Sequence, residues 1–472
     1  LEASRVRPVE AIRGAERLAR SLRPSARYIL VSLLLMAFGY ALSRIGPVGG
    51  LPVFGYLSAL ALMFGGAFLV PNALWLVCRT KLLGMLGVEA RLAGANLRAA
   101  ISRVSISVAA LAMSLAMMVA ISIMIGSFRE TVAYWVDQTL KADIYARPLA
   151  RIGTGGDGAI ASEAIAAIKS DPNVAAVDSF ISREVSYRDN LITLGAGDFS
   201  VLLEHGRLLF KSPQSSNDLL RQAIGEDAIV ISESFALRFD RQPGDTVELP
   251  TSAGLHPFRV AAVYYDYSSN RGTAVMDRTT YERHFKRAGP ASLSIYLNAA
   301  ASEEEVRESL ARKVGREFQL VFTTNSAVRR EVVRIFDSTF SITYALEIIA
   351  IVVAGLGVVS TLLTLILERR GEIAVLGFLG ATRAQVRRMV VIEAVMIGGV
   401  SQMIGILIGL MLSLVLIYVI NVQSFGWTIQ FHLPWGFLLQ STALILIATA
   451  IAGLYPASRA TSAGAVRFAR EE

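Results

Sequence analysis

LLTLILERRGEIAVLGFLGATRAQVRRMVVIEAVM, residues 362–396, leaves an apolar run at Leu367 and passes through Glu368, Arg369, Arg370 and Glu372. It continues as the half-apolar IAVLGFLGA and returns to apolar residues through Arg383, Arg387 and Arg388. A chain that surfaces from a membrane, lies along its basic side and re-enters has this pattern. A short amphipathic helix held between two spans is well placed to be pushed by a cytoplasmic partner. Gly371, Gly377 and Gly380 interrupt a segment that a simple interfacial anchor would keep regular, and Glu368 and Glu372 oppose attraction to anionic lipid. A contact surface for a cytoplasmic protein fits the residues better than an anchor. The weaker segment LGVEARLAGANLRAAISR, residues 86–103, is expected along the same face.

Working outward, five further apolar segments appear, at 28–43, 53–78, 104–126, 389–420 and 435–455, beside 342–367, which ends in the quoted stretch. A span needs about 20 apolar residues, and the first segment only approaches that length. Six spans is the expected count. The mean hydropathy of +0.51 and 53% hydrophobic residues agree with a membrane protein carrying a soluble part. Arginines cluster in 5–27, 79–103, 369–388 and 459–470, while the alternate short loops are nearly bare of Lys and Arg. The positive-inside rule then puts both termini in the cytoplasm and residues 129–338 outside, and the formal charge of +8 needs no nucleic acid.

ASRVRPVEAIR at 3–13 aligns with ASRATSAGAVR at 457–467, so the chain begins with the motif on which it ends. The second copy follows a span directly. A first half with its own spans is therefore expected upstream of the first copy.

The outer region reads as α+β. Strands at 142–147 and 176–187 bracket a helix at 161–169, and strands at 292–297 and 318–323 bracket a helix at 303–314. Two β-α-β units around an insertion suggest a split ferredoxin-like domain, and short strands at 228–232, 246–249 and 258–264 suggest a small β subdomain between them. VRREVVRIFDS, residues 328–338, is helical in pattern and runs towards the next span. It is expected to form a stalk through Val328, Val332, Ile335 and Phe336.

Catalytic signatures are absent from the sequence. There is no GxxxxGK[ST] phosphate loop, so any ATP and its magnesium are expected on a partner; GTGGDG at 153–158 lacks the lysine and reads as a loop. The single cysteine, Cys78, precludes an intramolecular disulfide and reads as a packing residue. His205, His256, His284 and His432 show neither HExxH nor paired spacing, and no GxSxG elbow occurs, so no metal and no catalytic residue is expected. Glu347 and Glu393 lie inside expected spans, the latter placed to bridge to Arg387 or Arg388. Gly355, Gly357, Gly405 and Gly409 are expected to pack helices within the bundle, the last two as GxxxG.

ERRGEIAVLGFLGATRAQVRRMVVIEAVM, followed by a glycine-rich span and the terminal YPASRATSAGAVR, resembles the FtsX-like permease domain of MacB-type ABC transporters. The resemblance runs from the third span to the C-terminus. It implies a polytopic α-helical membrane protein of six predicted transmembrane helices with an α+β extracytoplasmic domain, a split ferredoxin-like porter plus a small β subdomain. Its divisions would be 1–27, the end of a first repeat; 28–78, two linker spans; 79–103, a cytoplasmic amphipathic segment; and 104–126, a span. They continue as 127–338, the outer domain; 339–367, a span with its stalk; 368–388, a coupling helix; 389–455, two spans; and 456–472, a cytoplasmic tail.

Matched to the family motif, Glu368, Arg369, Gly371, Glu372, Leu376, Gly380, Ala381 and Arg383 would bear on a cytoplasmic ABC ATPase dimer. Its closure on ATP would be passed through the spans to the outer domain, with no substrate moving between the helices. Further implied partners are a first permease half, the lipid bilayer and a periplasmic or extracellular protein. The expected location is a bacterial cytoplasmic membrane. Export or extraction of lipids, lipoproteins, peptides or other hydrophobic envelope molecules is one expectation; transmembrane control of an outer hydrolase or sensor, with nothing transported, is the other. One departure concerns the tail: the family repeat usually reads with Pro and Glu, as in Pro8-Val9-Glu10-Ala11, whereas the second copy has Ala463-Gly464-Ala465 opposite Val9-Glu10-Ala11.

Overall fold

The computed structural model describes residues 26–463, apart from 81, 86, 150–157, 213–214 and 287. The first copy of the terminal motif, most of GTGGDG and the last nine residues lie outside the described residues, as does the side chain of Glu347. The described residues form two compact units, one of residues 26–127, 340–423 and 431–463, the other of residues 128–339 and 424–430.

The first unit is helical. Helices α1 (Ala26–Ser43), α2 (Val53–Arg79), α3 (Val88–Ala99) and α4 (Ile101–Thr139) are followed, after the second unit, by α5 (Asn325–Glu368), α6 (Arg370–Phe378), α7 (Arg383–Val415) and α8 (Trp435–Ala463). Among the described residues, α1, α2, α4, α7 and α8 are long and apolar enough to cross a membrane. The segment expected at 342–367 falls within the continuous helix α5. Many apolar side chains of α1, including Leu30, Leu33, Leu34 and Phe38, face outward, as a lipid-exposed helix requires.

Helix α7 is the hub of this unit. Lipid tails are as apolar as leucine, so association inside a membrane rests on close packing rather than on expulsion of water. A Cβ at Gly405 would lie 2.8 Å from Leu115 Cβ, and one at Gly409 would lie 2.7 Å from Val119 Cβ and 2.9 Å from the Ala116 carbonyl oxygen. Only glycine lets α7 approach α4 this closely. Gly66 of α2 likewise receives Ile408. Gly355 and Gly357 behave differently from expectation: no described atom within 4 Å would meet a Cβ at either, so among the described residues neither admits a neighbouring helix. They lie on a segment where Ile348, Ile349, Val352, Val353 and Leu356 are all exposed.

The second unit is built on a nine-stranded sheet. β1 (Ile144–Pro148) and β2 (Val174–Tyr187) bracket helix Ser162–Lys169. β3 (Asn190–Gly197), β4 (Ala228–Ser232), β5 (Thr246–Thr251), β6 (Gly254–Tyr264) and β7 (Thr273–Asp277) form the insertion. β8 (Ser292–Leu297) and β9 (Leu320–Thr324) bracket helix Glu303–Leu310. The order β5-β6-β4-β7-β3-β2-β8-β1-β9 contains β2-β8-β1-β9, antiparallel throughout, the arrangement expected of a split ferredoxin-like unit.

β2 joins the two halves of the sheet. Its residues Val174 to Phe180 pair with β8, and Ile181 to Tyr187 pair with β3. The hydrophobic pattern did not announce β3 or β7. β3 follows a turn at Arg188 and Asp189, both at positive φ (47° and 60°), a conformation that usually calls for Asn-Gly. In β7 every residue is buried, so the alternation that marks a half-exposed strand is absent. The insertion's core is aromatic, with Phe235, Phe258 and Tyr281 fully buried; each such ring stabilises the fold by about 1.5–3 kcal/mol.

Candidate coupling site

The stretch quoted at the outset forms a helix–turn–helix. α5 ends at Glu368, Arg369 breaks the helical backbone (φ −106°, ψ 20°), and α6 runs to Phe378. Gly380 then takes φ +94°, where a side chain would be strained. The Ala381 amide donates to the Leu376 carbonyl at 3.0 Å, closing the end of α6. Thr382 starts α7 with a reciprocal cap: its Oγ1 accepts from the Gln385 amide at 3.3 Å, and Gln385 Oε1 accepts from the Thr382 amide at 2.8 Å. The T-x-x-Q spacing was present in the sequence as the signal for this corner.

Helix α3 lies against this corner. Arg369 donates to the Asn96 carbonyl, Arg103 pairs with Glu368, and Asn96 Nδ2 donates to Glu393 Oε1 at 2.8 Å. Glu393 therefore does not bridge to Arg387 or Arg388. Those arginines stand five and six residues earlier on α7 and so project from other faces, whereas side chains meet along a helix at spacings of three or four. Asn96 supplies the buried carboxylate with its polar partner instead.

Between α3 and the corner opens a groove of about 280 Å³, lined by Val88, Glu89 and Leu92 on one side and Leu376, Leu379, Gly380, Ala381, Gln385, Val386 and Met389 on the other. At its rim Phe378 is 81% and Leu379 79% exposed, with Val375 and Val88 also exposed. Leu376 and Ala381 are half-buried and turn inward. Of the residues expected to couple, Leu376, Gly380 and Ala381 line this groove, and Arg369 and Glu372 line a smaller adjoining hollow with Asn96 and Glu393. Glu368 is held by Arg103, and Gly371 and Arg383 are exposed outside both. The segment 86–103, expected along the same face, supplies Val88, Glu89 and Leu92 of the lining; Phe378 and Leu379 were not singled out from the sequence, because hydropathy does not tell an exposed apolar residue from a packed one.

In the second unit, the stalk residues lie on α5 where it packs along the last turns of α4. Phe336 meets Phe128 with ring centroids 5.5 Å apart. Arg329 Nη1 lies 2.6 Å from Asp137, and Asp337 lies 3.2 Å from Arg129. The Arg329 guanidinium holds the Asp137 carboxyl below its usual range. Val328 and Val332 are half-buried on the same stripe as Phe336, while Ile335 is exposed and takes no part in it.

The same unit contains a cavity of about 460 Å³ between β2, β3 and β7, with Phe180, Phe199, Leu202, Leu208 and Val275 beside Asp178, Asp198 and Asp266. Burial pushes the Asp178 carboxyl up to about 6, against the bond it accepts from the Asp198 amide at 2.9 Å. Residues 424–430, expected only as a short loop between the last two spans, also belong to this unit. The Thr428 amide donates to Glu233 Oε2 at 2.9 Å, and Tyr267 donates its hydroxyl proton to the Thr428 carbonyl at 3.0 Å.

Comparison with known proteins identifies the domains. The model of the FtsX-like permease C-terminal domain matches residues 344–465, and that of the MacB-like periplasmic core domain matches residues 104–313. The chain carries an FtsX-like permease C-terminal domain and a MacB-like periplasmic core domain.

An uncharacterized ABC transporter permease protein of Mycobacterium tuberculosis is 31% identical over 474 residues, covering 96% of this chain and 54% of that relative. The macrolide export ATP-binding/permease protein MacB of Acinetobacter baylyi is 25% identical over 55% of this chain and 40% of its own length. The lipoprotein-releasing system transmembrane protein LolC of Haemophilus influenzae is 24% identical over 52% of this chain and 65% of its own. The chain thus spans about half the length of the first of these relatives. With five helices among the described residues long and apolar enough to cross a membrane and a MacB-like periplasmic core domain, it is a membrane protein with an extracytoplasmic domain.

Proposed function

We propose that this chain is a permease subunit that converts the closure of a cytoplasmic ABC ATPase dimer into movement of its outer domain. That movement exports or extracts a lipid, lipoprotein, peptide or other hydrophobic envelope molecule. The observation that carries the reading is the α3–α6 groove with Phe378 and Leu379 on its rim. It stands at a helical corner fixed by a cap and a left-handed glycine, and Val88 and Leu379 of its lining, with Phe378 next to Leu379 in the chain, are exposed. A patch of that kind on a rigid corner suits an apolar knob of a partner protein better than lipid, which would not need the shape.

Transmission is supported by connectivity. The backbone passes between the two units four times, at 127/128, 339/340, 423/424 and 430/431, and two of these passages lie within the unbroken helices α4 and α5. Glu372 and Arg369 beside the groove serve orientation of the ATPase, ATP and magnesium are bound by that partner, and this chain has no catalytic role. The open face around Gly355 and Gly357 suits the small-residue contact of a second permease half. Both termini and the groove lie on the cytoplasmic side of a bacterial inner membrane in this reading.

The test is reconstitution of the full chain with its ATPase in proteoliposomes. Glu372→Arg and Phe378→Asp should each weaken association and abolish substrate-stimulated ATP hydrolysis while leaving the ATPase's own basal turnover intact. Unchanged association and stimulation in both variants would remove the groove from the mechanism. Stimulated hydrolysis that activates an outer hydrolase, with no molecule displaced from the bilayer, would favour signalling over transport.

A further inference from the structure

We infer that the insertion of the outer domain carries a zinc-class divalent cation site formed by Asp227, His256 and His284. Asp227 directly precedes β4, His256 lies on β6, and His284 closes helix Arg278–His284. Their spacing in the chain forms no metal motif; the fold alone brings them together. His256 Nε2 is 2.9 Å from Asp227 Oδ2, His284 Nε2 is 2.7 Å from Asp227 Oδ1, and the ligand atoms of all three lie within 4.8 Å of one another. Four-coordinate zinc takes imidazole nitrogen at about 2.0–2.1 Å and carboxylate oxygen at about 2.0–2.2 Å, so side-chain rotations close this gap without moving the backbone.

The frame is rigid where a site needs it to be. The Arg259 amide donates to the Asp227 carbonyl at 2.9 Å, and the Ser252 amide donates to the His284 carbonyl at 3.1 Å, tying the three backbones together. Both imidazoles rest edge-on against the fully buried Phe258, with centroids 5.0 and 5.3 Å away, which turns their Nε2 atoms to the same side. All three ligands are partly exposed, so a cation has an entry path and a water can fill the fourth position. Two neutral imidazoles and one carboxylate are the donor set for zinc rather than for calcium or magnesium, which prefer oxygen alone.

One group opposes the ion. Arg283 Nη1 lies 3.2 Å from Asp227 Oδ1, and Nη2 donates to the Gly225 carbonyl at 2.9 Å, so its guanidinium neutralises the carboxylate and must yield when a cation enters. Arg283→Ala should therefore bind zinc more tightly, an effect with no counterpart if the three groups serve only to hydrogen-bond one another.

The experiment is competition of the full chain in detergent against a chromophoric zinc chelator, with zinc chloride alone as the probe. One zinc per chain is expected, weakened more than about tenfold in His256→Gln and in His284→Gln and tightened in Arg283→Ala. His205→Gln should leave it unchanged. Because glutamine retains a hydrogen-bond donor for Asp227, the variants should keep their fold, checked by melting temperature without zinc. Absence of stoichiometric zinc in the parent chain, or equal zinc in the His256→Gln/His284→Gln double variant, would overturn the site.

Discussion

Glu233 and Thr428 are bonded twice, the Thr428 amide to one carboxylate oxygen at 2.9 Å and its hydroxyl to the other at 3.0 Å, across 195 residues of chain. Glu233 is only 1% exposed and its second partner, Lys211 Nζ, lies 2.6 Å away at the surface. A buried carboxylate without partners is costly, so the loop 424–430 supplies bonds that Glu233 requires, and Glu233 in turn fixes the loop. Glu233→Ala removes both. It should lower the stability of the outer unit by about 1–3 kcal/mol and raise amide hydrogen exchange at 424–430 selectively. Exchange unchanged in that loop would show that the clamp does not hold it.

The corner below the coupling groove rests on Gly380 and Thr382. Gly380→Ala forces a side chain to φ +94°, and Thr382→Ala removes the cap of α7; each should cost on the order of 1 kcal/mol. Neither replaces an apolar side chain of the groove, although Gly380 itself lines it. ATPase stimulation in proteoliposomes should fall in both variants while Arg383→Ala, exposed and outside the groove, stays near the parent. A loss in Arg383→Ala with none in the other two would point to charge rather than shape as the determinant.

Two glycine pairs on the spans should answer differently to the same change. Gly405→Val and Gly409→Val drive side chains into Leu115 and into the Val119–Ala116 turn, and overpacking of that kind costs about 1–3 kcal/mol or more. Gly355→Val and Gly357→Val meet no described atom. Thermal stability in detergent of the isolated chain should drop for the first pair and hold for the second. A loss for Gly355→Val that appears only in the assembled complex would mark its face as the contact with another permease half.

The Asp178 carboxyl, raised to about 6 by burial, gives the outer unit a definite pH signature. Its folded value lies above the unfolded 3.8, so the folded state holds the proton more tightly. The contribution is fully present below about pH 4, is lost as pH rises through about 6, and amounts to roughly 3 kcal/mol. Asp178→Asn keeps an oxygen for the Asp198 amide and carries no charge. The variant should exceed the parent in stability at pH 7.5 and match it near pH 4, by denaturant unfolding at the two pH values. A constant difference across that range would place the effect in packing.

The paired stalk gives a fifth contrast. Arg329 with Asp137 and Asp337 with Arg129 cross between two helices at equal spacing, so reversing one pair, Arg329→Asp, sets two like charges together, and adding Asp137→Arg restores the attraction. The double variant should recover the outer unit's melting temperature lost by the single one.

Long apolar runs, the arginine bias beside them and the break at Glu368 to Glu372 are properties of local composition, and from them the long apolar helices of the bundle and an α+β domain between them could be read. The second β-α-β unit, the β4 strand at 228–232 and the family resemblance were legible for the same reason: each rests on a contiguous pattern. What the sequence could not show is everything that depends on residues far apart meeting. β3 entered through a turn whose Arg188-Asp189 conformation has no strong sequence signal, and β7 had no exposed face to produce alternation. Asn96 replaced the arginines as partner of Glu393 because α3 and α7 lie side by side.

Gly355 and Gly405 have the same composition around them, and only packing separates the one that meets nothing from the one that admits α4. The coupling segment was found from its own residues; its shape as half of a groove needed α3. Asp227, His256 and His284, like Glu233 and Thr428, became sites only when the sheet brought their backbones into hydrogen-bond register, because bonding geometry is set in space and composition along the chain does not encode it.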